Sequence, residues 1–101
     1  MRITSLIVLL FLAGCSSRLP VITDEQARHV AARWPQVTSG ILNEGRRMYM
    51  EKCSSCHSLH VPSAFSEEQW ATAMDKMQSK AHLTDEEKEL IIKYIIAARK
   101  R

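Results

Sequence analysis

Residues 51–60 read EKCSSCHSLH, so two thiols and an imidazole, Cys53, Cys56 and His57, fall within five consecutive positions. Three chemistries use such a set. Thiolates and imidazole nitrogens ligate zinc, a C-x-x-C pair cycles between dithiol and disulfide, and C-x-x-C-H is the attachment signature of c-type haem. If the segment is helical the three side chains share one face, which lets each thiol add to one vinyl group at a porphyrin edge while the imidazole nitrogen reaches the iron. The rivals meet obstacles. A redox dithiol sits at a helix start behind a strand, where the dipole lowers the first thiol's pKa, whereas Cys53 is expected at a helix end with no strand before it. Zinc could draw on Cys53, Cys56, His57 and either His60 or His82, but structural zinc usually takes its second pair from a distant turn, and neighbouring Cys56 and His57 strain a tetrahedral set. A disulfide from Cys53 to Cys56 would close a very small ring. One covalently bound haem is therefore the expected cofactor.

The chain has 101 residues, one domain at most, and its start narrows where such chemistry would take place. MRITSLIVLLFLAG carries one arginine, then an apolar run, then small residues, which is the pattern of a secretory leader. The run is shorter than the about 20 apolar residues of a permanent span. It ends in LAGC, Leu12 to Cys15, which resembles the lipobox of bacterial lipoproteins, where cleavage precedes the cysteine and a diacylglycerol is attached to its sulfur. Ser16 in the next position resembles lipoproteins sorted to the outer membrane of Gram-negative cells. The reading divides the chain into a cleaved leader at 1–14, a lipidated tether at 15–22 and a folded domain at 23–101. It places the domain outside the cytoplasm, facing the periplasm, which is where c-type haem is attached. With Cys15 assigned to lipid, only two of the three cysteines remain, so a separate structural disulfide is ruled out. A net charge of +3, or +2 once Arg2 has left with the leader, implies neither nucleic acid nor a strongly anionic partner. A domain this small draws little net stability from its core alone and gains from a covalent or metal staple.

The elements that would position the cluster are helices, because no stretch alternates with period two. Thr23 opens the first through the capping box TDEQ; Ala27, Val30, Ala31 and Trp34 share a face, and Pro35 stops the run. A second helix is expected from Thr38 or Ser39 to Cys53, with Ile41, Gly45, Met48, Tyr49 and Cys53 recurring at threes and fours. Gly45 costs about 1 kcal/mol relative to alanine there, which points to a close neighbour such as a crossing helix. After a loop around Pro62, Ser66 caps a third helix through SEEQ, and Phe65 can staple onto Trp70. Trp70, Met74 and Met77 line one face of it. Thr84 and Glu87 cap a fourth helix with the stripe Leu90, Ile91, Tyr94, Ile95 and Ala98. The class is all-α.

Together these features resemble a small class I, monohaem cytochrome c over roughly residues 40–98. The resemblance is carried by GRRMYMEKCSSCH, by Trp70 and Met77, and by the ending LTDEEKELIIKYI. It implies a cytochrome c-like fold of about four helices around one haem, with thioether bonds from Cys53 and Cys56 and His57 on the iron. It further implies that Gly45, Tyr49 and Tyr94 lie where the first core helix crosses the last, that Trp70 packs in the haem pocket, and that the Pro62 carbonyl accepts a bond from the proximal imidazole. The spacing W-x6-M, before an LTDEE helix start, resembles small domains in which that methionine binds iron. Met77 is thus the expected sixth ligand and Met74 the alternative.

A thioether opposite an imidazole favours ferrous iron and fills the last coordination site. The expected function is a one-electron carrier, membrane-anchored through Cys15, that docks on redox partner proteins and has no small-molecule substrate. Two other functions use the same motif: a haem-based sensor or small-ligand binder with an open sixth site, and a permanent electron-relay subunit of a larger oxidoreductase. No nucleophile-base pair, carboxylate pair or phosphate loop suggests an independent enzyme.

Overall fold

The computed structural model describes residues 19–53 and 60–99. Among them are four α-helices and a short 3-10 turn, with no strand: α1 Asp24–His29, α2 Ser39–Cys53, the turn Pro62–Ala64, α3 Glu67–Lys80 and α4 Asp85–Arg99. The all-α expectation holds. No described helix is long and apolar enough to cross a membrane.

Three helix starts are built as the sequence indicated. The Thr23 hydroxyl accepts from the Gln26 amide (3.2 Å) while the Gln26 side chain accepts from the Thr23 amide (3.0 Å). Ser66 with Gln69 and Thr84 with Glu87 make the same reciprocal pair. Phe65, just before the Ser66 cap, meets Trp70 edge to face with centroids 5.3 Å apart, which completes the staple.

The first helix is shorter than its apolar spacing suggests. It ends at His29, and residues 30–34 follow as tight turns in which Val30 and Ala31 donate three residues back, to Ala27 and Arg28. Tightening keeps Val30 buried and sets Trp34 beneath two cations, Arg33 at 4.6 Å and Lys93 at 5.7 Å from the ring centroid. Pro35 is thus not the stop, because the helix has ended at His29 before the proline is reached.

On α2 the buried row is Leu42, Gly45, Tyr49 and Cys53, whereas Ile41 is 42% exposed and Met48 partly so. Spacings of three, four and four hold that row on one side, and Ile41 lies about 100° off Leu42. It faces α4, and this is the largest interface in the fold. Helix α4 also touches α1, α3 and the 3-10 turn. For that reason Ile96 and Ala97 are buried along with the expected Ile91, Tyr94, Ile95 and Ala98.

Candidate haem-attachment site

Cys53 is the last residue of α2 and sits on its buried row, 9% exposed. Cys56 and His57, and Cys15 at the other end of the chain, lie outside the described residues. The described residues on either side of the motif are fixed to the body of the domain.

One turn before Cys53, the Tyr49 hydroxyl donates to the His60 carbonyl (2.7 Å) and accepts from the His60 amide (3.1 Å). A single side chain therefore clamps the backbone on the far side of the motif to the helix on its near side. The ring of Tyr49 stands edge-on to Trp70 at 6.0 Å, His60 edge-on to Phe65 at 5.1 Å, and Phe65 in turn on Trp70. Trp70 closes the chain of contacts by donating its indole N–H to the Pro62 carbonyl (2.8 Å). Burial pushes the Tyr49 hydroxyl up to about 12, against the smaller opposing effect of its bond to His60. On the outer side, Lys52 pairs with Glu87 at the start of α4 (3.3 Å). The Thr84 amide first, and Lys52 after it, hold the Glu87 carboxyl below its usual range.

Gly45 explains itself at the α2–α4 crossing. A Cβ built on it would lie 2.4 Å from the Leu90 carbonyl oxygen and 2.9 Å from the Tyr94 Cβ. The close neighbour expected from the sequence is therefore α4, with Tyr94 fully buried at the contact.

The two methionines differ. Met74 is 3% exposed within the core, whereas Met77, further along α3, is only half-buried. His82 is exposed and takes φ 55° just beyond α3, where the Leu83 amide bonds the Gln78 carbonyl (2.9 Å) and the His82 amide the Ser79 carbonyl (3.3 Å). This is a Schellman ending with histidine in the place that glycine usually takes. His29 is exposed at the end of α1. Among the described residues no three His, Cys, Asp or Glu side chains converge as a metal site.

Sequence reasoning missed two features. The Tyr49 clamp spans 11 residues; its only signal was that a buried tyrosine needs a partner for its hydroxyl. The other is the segment before α1, read as part of a tether, of which residues 19–22 belong to the folded body. Ile22 is 2% exposed, and the Tyr94 hydroxyl donates to the Pro20 carbonyl across 74 positions (2.8 Å).

Of the residues that would hold a covalently bound haem, the described frame contains the Cys53 thiol and the flanks of the motif. It presents one motif thiol on the apolar side of a helix end and pins the chain again seven residues on, leaving the second thiol and the imidazole between two fixed points. No family model, curated protein or solved structure matches the chain.

Proposed function

We propose that this protein is a membrane-anchored, monohaem c-type cytochrome that carries single electrons between redox partners at the periplasmic face. The observation that carries the reading is Cys-x-x-Cys-His with its first thiol on the core row of α2 and its far flank clamped at His60. Cys53 and Cys56 would hold the porphyrin through thioether bonds, with His57 and Met77 as the axial ligands. Haem iron held this way supplies a one-electron couple whose ligands stay in place in both oxidation states.

The surrounding residues have roles of their own. Tyr49 pins the backbone at His60 and Trp70 pins it at Pro62, so the imidazole would be presented next to a braced segment. Met74 is committed to core packing, while half-buried Met77 can turn its thioether without opening the core, which favours Met77 as the sixth ligand. Gly45 and Tyr94 bring α4 against α2 and close the apolar side of the site. Upstream, Cys15 would carry the lipid that holds the domain at the membrane, with the outer membrane favoured by Ser16.

Intact mass of the exported protein and its optical spectrum test this. A haem adduct on the chain and, in the ferric protein, a thioether-to-iron charge-transfer band are expected. The band should vanish in Met77→Ala and persist in Met74→Ala. Two unmodified thiols would end the cytochrome reading. Absence of the band with rapid carbon monoxide binding by the reduced protein would replace the carrier with a ligand sensor.

A further inference from the structure

Residues 19–22 form a strap whose bonds have a direction. The Ile22 amide donates to Asn43 Oδ1 (2.8 Å), and Asn43 Nδ2 donates to the Ile22 carbonyl (3.0 Å). Arg46 Nε donates to the Leu19 carbonyl (2.9 Å), and the Tyr94 hydroxyl to the Pro20 carbonyl between them. Ile22 thus pairs with Asn43 and Leu19 with Arg46, so each step toward the N-terminus advances along α2 toward Cys53. The next residue on that side of the helix, one turn past Arg46, is Met50. Met50 is 38% exposed, and Val21, in the strap itself, is 60% exposed. The third exposed large hydrophobic among the described residues, Ile41, lies on the opposite flank of the buried row.

Leu19 is fixed to the body, and three residues separate it from Cys15. That spacer reaches at most about 14 Å when fully extended, too short to let the domain turn freely above a membrane.

We propose that the strap edge of α2, with Val21 and Met50 at its surface, is a membrane-contact face. Its partner is the lipid surface that receives the acyl chains of Cys15, and the inference rests on the lipoprotein reading of that residue. The two exposed apolar side chains lie near Leu19, the described residue nearest in sequence to Cys15, where partial burial among headgroups and upper acyl chains is favourable. The opposite flank, with Ile41, faces water.

The test uses the exported, acylated holoprotein bound to vesicles of phosphatidylethanolamine and phosphatidylglycerol, footprinted with a water-soluble carbene precursor and read by mass spectrometry. The comparison is the same protein with a Gly/Ser spacer of about ten residues inserted between Ser17 and Arg18, which frees the domain to sample all orientations. Labelling at Val21 and Met50 is expected to be at least about threefold lower without the spacer, as for side chains seated in the interface, and labelling at Ile41 to be the same in both. Equal labelling of Met50 with and without the spacer, or protection of Ile41 to the same degree, overturns the proposed face while leaving the anchor intact. Intact mass of the same sample reports on the anchor: a Cys15 without a diacylglyceryl group defeats the lipoprotein reading and the contact face with it.

Discussion

Replacing Gly45 with alanine sets two effects against each other, and the structure gives the size of each. Helix propensity favours alanine by about 1 kcal/mol in the middle of α2. Against this, the new methyl carbon would stand 2.4 Å from the Leu90 carbonyl oxygen, 2.9 Å from the Tyr94 Cβ and 3.1 Å from the Leu90 carbonyl carbon. Two of these three atoms are backbone, so no rotamer change relieves the overlap. Ordinary contact starts at 3.4 Å, and α4 has to retreat by about 1 Å to reach it. A gap of that size forfeits a quarter to a half of the dispersion well for the atom pairs it opens, at the interface holding Leu42, Tyr49, Ile91 and Tyr94. Overpacking of this kind costs about 3 kcal/mol or somewhat more, for a net loss of about 2–3 kcal/mol. In a domain this small that is roughly a 10–20 °C fall in Tm. Urea unfolding followed by circular dichroism measures it. Gly40→Ala on the same helix is the control, since its Cβ meets only the Thr38 hydroxyl at an ordinary 3.7 Å, and it should gain up to about 1 kcal/mol. A Gly45→Ala protein as stable as the parent would show that the crossing is not close-packed at this residue.

Three further outcomes are expected. Tyr49→Phe keeps the ring on Trp70 but removes both bonds to His60; stability should drop by about 1–3 kcal/mol, and hydrogen exchange at the His60 amide should speed up more than at the α4 amides, whereas a uniform change would mean that the clamp is not local. His82→Gly should raise stability by about 0.5–1 kcal/mol, because relief of the left-handed backbone outweighs the greater freedom of glycine in the unfolded chain; His82→Ala should not, and chemical denaturation distinguishes them. Burial raises both Tyr49 and Tyr94 from 10.0 to about 12. Between those values the unfolded chain has released protons that the native state keeps, so stability falls as pH rises from 10 to 12, by roughly 2–3 kcal/mol for each tyrosine. Urea midpoints across that window check it, and Tyr94→Phe should flatten the slope by about half.

What the sequence settled by itself is local. The three capping boxes and the Phe65–Trp70 staple join residues three to five apart, so residue type at a fixed offset is enough to specify them. The C-x-x-C-H spacing is legible for the same reason, because its chemistry depends on covalent neighbours. The requirement for a close neighbour at Gly45 was also readable, and the family resemblance pointed to the last helix and Tyr94, which is where the contact lies. Only the tertiary structure decided which face of α2 is buried, Leu42 rather than Ile41, and that α4 is enclosed far enough round to hide Ile96 and Ala97. It alone ended α1 at His29, tied Tyr49 to His60 and fastened Leu19–Ile22 to α2 and α4. Each of these depends on where one helix lies against another, and a side chain's partner across 11 or 74 positions is set by that packing, not by any periodicity along the chain.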